Sequence, residues 1–243
     1  MELREGIIIK TINYKENSKI IYIVTEEGLC SLEVKGANKV NGHSHLYSNL
    51  LTNIAYSSRG HFFQAGKVLN NYINIRNNID KLSFALNILE LSYASIEHIT
   101  DFKIFYNFLK EILILLESQN LKSQNNDKFY YCVFNIKLLY LLGVQPVLKK
   151  CVRCGNTGKL YAFVLKDGGM KCINCINPND KLIRDKELLN TIYKMYYLKL
   201  DVLKENIFEF DYKKTKAFFE EYYEEFLSYV SKSNKIFEKL NKI

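Results

Sequence analysis

The sequence predicts an α+β protein: a small closed β-barrel, then a helical domain that carries an inserted four-cysteine loop. Three observations lead there. Short strand-like runs fill residues 1–78, apolar residues recur at helical spacing from residue 79 onward, and four cysteines stand in two close pairs. The pairs are Cys151-x2-Cys154 and Cys172-x2-Cys175, with 17 residues between them.

The strands are expected at Gly6 to Ile12, Lys19 to Thr25, Leu29 to Lys35, a stretch within Leu46 to Ser57, and Phe62 to Leu69. In the third, Cys30, Leu32 and Val34 alternate with Ser31, Glu33 and Lys35, the period of a half-buried strand. Glu27-Gly28 and Lys35-Gly36 supply turns at its two ends. Five short strands would leave bare edges as an open sheet, and closure removes them, so an OB-fold barrel is the natural candidate.

Helices follow. Leu82, Leu86, Leu89, Tyr93 and Ile96 mark the first, and Phe102, Phe105, Leu109, Ile112 and Leu116 the second, after a cap at Thr100 or Asp101. A third runs from near Lys128 with Phe129, Val133, Ile136 and Tyr140 on one face; Asp127 starts it, and Gly143 with Pro146 stops it. Helical spacing resumes at Asp185 with Leu188, Ile192 and Met195 or Tyr196, and again from Lys213 through Phe218, Tyr222, Phe226 and Tyr229. The domains implied are 1–78 and 79–243, with the cysteine insertion at 149–182 and a polar connector at Lys122 to Asp127.

The cysteine spacing suits a tetrahedral metal cage, for which zinc is the default ion. Gly155 and Gly158 allow the tight turns such knuckles need. Four thiolates leave the site with a net charge of about minus two, and Lys149, Lys150, Arg153, Lys159 and Lys171 lie close enough in sequence to offset it. A shell closed by four sulfurs has no position for water or substrate, so the metal reads as structural, one Zn2+ per chain held by Cys151, Cys154, Cys172 and Cys175. Beyond Leu160, Tyr161, Phe163, Val164 and Leu165 the segment has few large apolar residues, and metal binding supplies the missing stability. Cys30 and Cys132 stand alone and read as small buried hydrophobes.

With 48% hydrophobic residues the chain can build a real core. No apolar run reaches the ~18 residues of a membrane span, and Met1-Glu2-Leu3-Arg4-Glu5 lacks a signal-peptide layout. A soluble cytoplasmic protein in a reducing compartment is expected. The net charge of +8 is unevenly spread: residues 1–78 carry nine Lys/Arg against six Asp/Glu, and residues 151–185 six against three. That distribution suits a nucleic-acid surface, while a solvated lysine face accounts for the charge equally well.

Barrels of this kind track phosphates with cations and stack bases on rings. Lys10, Lys15, Lys19, Lys35, Lys39 and Arg59, interleaved with Tyr14, Tyr22, Tyr47, Tyr56, Phe62 and Phe63, are the candidate contacts, although a small barrel also needs bulky rings for its core. Catalytic constellations are weak. His43 and His45 sit in a polar loop, His61 and His98 are isolated, and Glu220, Glu221, Glu224 and Glu225 share a helix with an apolar opposite face, which reads as solvated. There is no phosphate loop and no nucleophile motif, so no catalytic residue is named and no enzyme is expected.

The order of parts resembles a known family, the bacterial RecO-type recombination mediators. The N-terminal likeness runs through Gly6-Ile7-Ile8-Ile9-Lys10-Thr11, Tyr14 to Ile20, Thr25-Glu26-Glu27-Gly28 and Lys35-Gly36-Ala37-Asn38-Lys39. The more specific half joins Leu138-Leu139-Tyr140-Leu141-Leu142-Gly143-Val144-Gln145-Pro146 to Cys151-Val152-Arg153-Cys154-Gly155, with Gly168-Gly169 shortly before Cys172. The resemblance implies an OB-fold, a helical domain with a zinc site, and no catalysis. It further implies binding of single- and double-stranded DNA, strand annealing, and work with RecR and single-strand-binding protein in loading RecA. Two other readings stand beside it: a protein-interaction adaptor, and a zinc-ribbon RNA-binding factor without a DNA role.

Overall fold

A computed structural model describes residues 3–39, 43–118 and 126–230. The described residues up to Ser118 pack as one compact unit, and those from Asn126 onward as another.

In the first unit, β1 (Arg4–Tyr14), β2 (Ser18–Thr25), β3 (Gly28–Val34), β4 (Thr52–Arg59) and β5 (Phe62–Asn70) close in the order β1-β2-β3-β5-β4, with β4 returning to β1. Every pairing is antiparallel except a parallel contact of β3 with β5 at Glu33 and Phe62. This is the expected OB-fold barrel. Alternation sends Ile8, Ile21, Ile23, Leu32, Val34, Ile54 and Tyr56 into its core. Ile7 and Ile9 are buried too, because α2 (Ile79–Ala94) packs on β1 and α3 (Phe102–Glu117) on β2. Asn78 and Asp101 cap these helices by accepting backbone N–H groups of their first turns.

A single helical turn, α1 (Ile73–Arg76), carries no periodic signal and was not expected. Its Arg76 guanidinium donates to the carbonyls of Leu50 and Leu51, and the Glu117 carboxylate at the end of α3 accepts from the backbone N–H groups of Asn74 and Ile75. Such ties explain where the packing divides. Secondary structure changes from strand to helix near residue 79, but the first helices pack with the barrel, and the compact units part between Ser118 and Asn126.

The second unit holds α4 (Asn126–Leu141), α5 (Lys186–Tyr197) and α6 (Tyr212–Leu227), with a small sheet ordered β7-β6-β8 between α4 and α5 in sequence: β6 (Leu160–Val164), β7 (Gly169–Cys172) and β8 (Leu182–Ile183). Asp185 and Asp211 cap α5 and α6. Of the face expected on α4, Phe129, Val133 and Ile136 are buried, but Tyr140 is 54% exposed. This helix is apolar almost all round, with Tyr130, Phe134, Leu138 and Leu139 also buried, so a one-face reading undercounts it. Most of the polar connector, residues 122–125, lies outside the described residues; Asn126 and Asp127 open α4.

The cysteine segment is more than a loop. Ala162, Phe163 and Val164 of β6 are buried, and the Phe163 ring lies 5.4 Å from Phe218 and 6.4 Å from Tyr222 of α6. Among the described residues no helix is long and apolar enough to cross a membrane.

Candidate metal centre and nucleic-acid interface

The two cysteine pairs meet. The sulfurs of Cys151, Cys154, Cys172 and Cys175 all lie within 4.8 Å of one another, and Cys154 Sγ is 3.8 Å from Cys172 Sγ. Backbone geometry explains the approach. The Cys151 carbonyl accepts from the Gly155 N–H at 2.8 Å, and the Cys151 N–H donates to the Asn156 carbonyl at 2.8 Å, which folds the first pair into a knuckle. Gly155 sits at a φ of 74°, where only glycine is unstrained.

The first knuckle is then laid on β7: the Val152 N–H donates to the Met170 carbonyl, and Val147 and Gly168–Met170 exchange two further bonds. Gly169 is the point of closest passage, since a Cβ there would stand 2.4 Å from the Val152 side chain and 2.7 Å from the Val147 carbonyl. The Gly168-Gly169 doublet in the sequence is the trace of that crossing. Leu160 packs against the sulfurs.

Such a set could hold a metal ion, and four soft thiolate donors with this spacing suit zinc. Burial pushes the Cys151 thiol up, but backbone hydrogen bonds from Cys154, Cys172 and Arg153 outweigh it and hold the group at about 6. Cys175 is pushed up to about 12, by its hydrogen bond with Cys172 first and by burial second. The four thiols influence one another's protons, and because a metal takes thiolates, ion binding at such a site is proton-coupled.

The cations near the cysteines do not act as one group. Lys171 is buried, and its ammonium is taken by Asp167 at 2.6 Å and Asp180 at 2.9 Å. Lys149 lies over tyrosine rings of α5, and Arg153 reaches Asn177 at 3.4 Å. The Lys171 and Asp180 pair was missed in the sequence; nothing in a lysine and an aspartate nine residues apart marks them as buried partners. Asp180 is held ionised by the Asn177 N–H first and the Lys171 ammonium second.

The six barrel cations separate into two groups. Lys15 is exposed in the turn from β1 to β2, and Lys35 and Lys39 are exposed in the turn after β3. That turn is tied to the first one, because Asn38 donates its backbone N–H to the Asn17 carbonyl and its side chain to that of Ser18. Register then adds Lys19, opposite Val34, and Arg59, opposite Phe62. Lys15, Lys19, Lys35, Lys39 and Arg59 therefore share one end of the barrel, with Glu16 and Glu33 as the acidic residues among them. Glu33 is partly engaged, accepting from the Ser18 hydroxyl at 3.2 Å. Lys10 stands elsewhere: it is half-buried in the seam of β1, β2 and α2, its ammonium 3.7 Å from the Tyr93 ring centre and 5.4 Å from that of Tyr22.

The rings divide similarly. Tyr56 is fully buried in the barrel core. Tyr47 and Phe63 stack on each other at 5.7 Å, half-buried, with Phe63 covering Gly66. Tyr22 is half-buried against Tyr93. Tyr14 and Phe62 remain substantially exposed at the cationic end, each beneath an ammonium: Lys15 at 4.7 Å and Lys35 at 4.6 Å. Five cations around two open rings can bind a polyanion with flat, stackable groups.

The remaining candidates fall out plainly. Cys132 is buried and its thiol raised by desolvation, and Cys30 is half-buried in the barrel. Glu220, Glu221, Glu224 and Glu225 are exposed while Phe218 and Tyr222 behind them are buried, the solvated face expected. His45, His61 and His98 are exposed, and the side chain of His43 lies outside the described residues.

The chain matches the family model described as Recombination protein O N terminal over residues 1–70, and that described as Recombination protein O C terminal over residues 76–227. It is 30% identical over 198 residues to a DNA repair protein RecO from an Exiguobacterium species, covering 79% of this chain and 76% of that one. Proteins of the same name from Listeria monocytogenes serotype 4b and Oceanobacillus iheyensis are each 26% identical, spanning 100% and 99% of this chain and 96% and 94% of theirs.

Proposed function

From the premise that this chain belongs to the RecO family of DNA repair proteins, we propose that it is a non-catalytic recombination mediator whose barrel grips DNA. It binds single and double strands, anneals complementary strands, and helps load RecA onto DNA coated with single-strand-binding protein, acting with RecR in a pathway of the RecFOR type. The observation that carries this reading is the clustering of Lys15, Lys19, Lys35, Lys39 and Arg59 around Tyr14 and Phe62 at one end of the barrel. Lys10, half-buried in the seam of β1, β2 and α2, contributes field more than direct contact.

Residues 1–78 supply the nucleic-acid surface, and 79–243 the helical support with its cysteine insertion. One Zn2+ held by Cys151, Cys154, Cys172 and Cys175 braces that insertion and takes no part in chemistry, because four sulfurs leave it no open position. The protein works in the cytoplasm, associated with the nucleoid.

Titration of fluorescent oligonucleotides tests the core of this. Binding is expected to tolerate any sequence and to weaken with salt at a log–log slope of about −0.7 per phosphate neutralised on a single strand. Lys35→Glu combined with Lys39→Glu lowers affinity and flattens the slope by about 1.4, with the melting temperature unchanged. A salt-independent interaction, or a charge-reversed double variant that binds like the parent, rejects the barrel end as the contact. Preference for RNA or for one sequence selects the RNA-binding alternative, and no binding at all selects the adaptor.

A further inference from the structure

The second unit carries an aromatic array that the barrel reading does not use. Tyr193 and Tyr197 on α5 have ring centres 4.7 Å apart; Tyr196 meets Tyr197 edge-on at 4.7 Å; and Tyr140 at the end of α4 meets Tyr196 edge-on at 6.0 Å. The four rings thus form one run across two helices. Its members are not filling a core: Tyr140 is 54% exposed and Tyr197 49%. Lys149 places its ammonium 4.1 Å from the Tyr197 ring centre and 5.3 Å from that of Tyr193. Lys137 donates to the Tyr196 carbonyl at 2.5 Å beneath the same ring.

Two properties together select an occupant. Tyr140 and Tyr197, each about half exposed, leave ring surface that an unstacked base can cover without regard to its identity. The ammonium groups at the rings are those of Lys149 and Lys137, with Lys150 and Lys199 next to them in sequence and Asp201 the nearest acidic residue there, while Lys194 is turned to Phe208. The pairing of ring and ammonium at Tyr197 repeats the motif at Phe62 and Lys35. We propose that Tyr140, Tyr196, Tyr197 and Tyr193 with Lys149 form a second binding surface for single-stranded nucleic acid, stacking bases on Tyr140 and Tyr197 while Lys149 meets a phosphate. The inference rests on the reading that this chain binds single strands, and it extends that reading. With one surface on each unit the molecule can hold two strands at once, which annealing requires.

The test uses the full chain and a fluorescent oligothymidine. In the Lys35→Glu and Lys39→Glu background, where the array carries the residual binding, Tyr197→Leu lowers affinity by about five- to a hundredfold and Tyr197→Phe does not, because stacking needs the ring and not the hydroxyl. Photocrosslinking with an oligonucleotide carrying 5-iodouracil labels the tryptic peptide Met195 to Lys199, and Tyr197→Leu removes that label. Equal binding and crosslinking by parent and Tyr197→Leu overturn the proposal. The two readings fail separately: no oligonucleotide binding by the parent chain sinks the proposed function, whereas binding lost entirely through the barrel changes sinks this surface alone.

Discussion

The barrel and the cysteine knuckle reach order by opposite means. The barrel closes five strands around Ile8, Ile21, Ile23, Leu32, Ile54 and Tyr56, side chains removed from water whose burial alone favours the folded state by ~1.5–3 kcal/mol each. The knuckle has no comparable interior: three buried cysteines and a half-buried Leu160 are its whole apolar cluster, beside strands of five, four and two residues. The Ala162 to Val164 end of β6 shares the helical core through Phe163 and the rings of α6, and Gly168 beyond it abuts Tyr222 and Phe226. A fold assembled from alternation needs nothing beyond its own side chains. A fold assembled around four sulfurs would borrow its stability from a metal ion held there, as proposed above.

The largest expected effect separates the two regions outright. Removing metal with a chelator withdraws a contribution of about 10–16 kcal/mol in small zinc modules. Amide protection is then expected to disappear around Cys151 to Asn156 and Met170 to Cys175 while the barrel strands keep theirs, as read by hydrogen exchange. Elemental analysis should find about one zinc per chain before treatment, and less in Cys154→Ser. Equal loss of protection in barrel and knuckle would erase the contrast.

The converse change is smaller. Ile21→Ala opens a cavity in the barrel and should cost about 2–5 kcal/mol in denaturant unfolding. Zinc content is expected to stay at the parent level, since bonds within residues 147–170 shape the knuckle that brings the sulfurs together. Metal lost together with barrel stability would mean that the two regions fold as one.

How much of this was legible in the sequence follows from the same contrast. Alternation in β3 and helical spacing in α3, α5 and α6 state their burial directly, and Asp101 and Asp185 announce two helix starts, whereas on α2 Leu82, Leu86 and Tyr93 are only half-buried beside the buried Ala85, Ile88, Leu89 and Leu91, and Ile96 falls beyond the helix. The cysteine spacing foretold the cluster of four sulfurs because ligand geometry restricts spacing tightly. What stayed hidden was decided by tertiary partners. Tyr140 falls on an apolar period yet faces outward; Lys171 looks like a surface cation yet is buried between two carboxylates; and the helices up to Ser118 pack on the outer face of β1 and β2, with Arg76 and Glu117 adding polar ties through α1. Of the six cations chosen in the barrel, strand register gathers five, and Lys10 is turned into a packing seam by Tyr93, a residue distant in sequence.

The smallest expected effect concerns the clasp that holds α3 to the barrel. Glu5 Oε1 on β1 accepts from Asn53, from the Tyr106 hydroxyl at 2.8 Å and from the Lys110 ammonium at 2.7 Å. Burial raises the Glu5 carboxyl, but hydrogen bonds from Lys110, Asn53 and Tyr106 and the Lys110 charge more than offset it, so its pKa lies below the ordinary 4.5. A depressed carboxylate stabilises the fold above its unfolded pKa, and that contribution is lost as pH falls through the folded value. Melting temperature should therefore drop more steeply below pH 4.5 in the parent than in Glu5→Gln, and the two should converge in acid. Both side chains of the ion pair are partly solvated, so the difference near neutrality is expected to stay below about 1 kcal/mol and to shrink with salt. A larger loss, or one that also strips zinc, would show that a single polar tie on the barrel governs more of the molecule than its apolar core does.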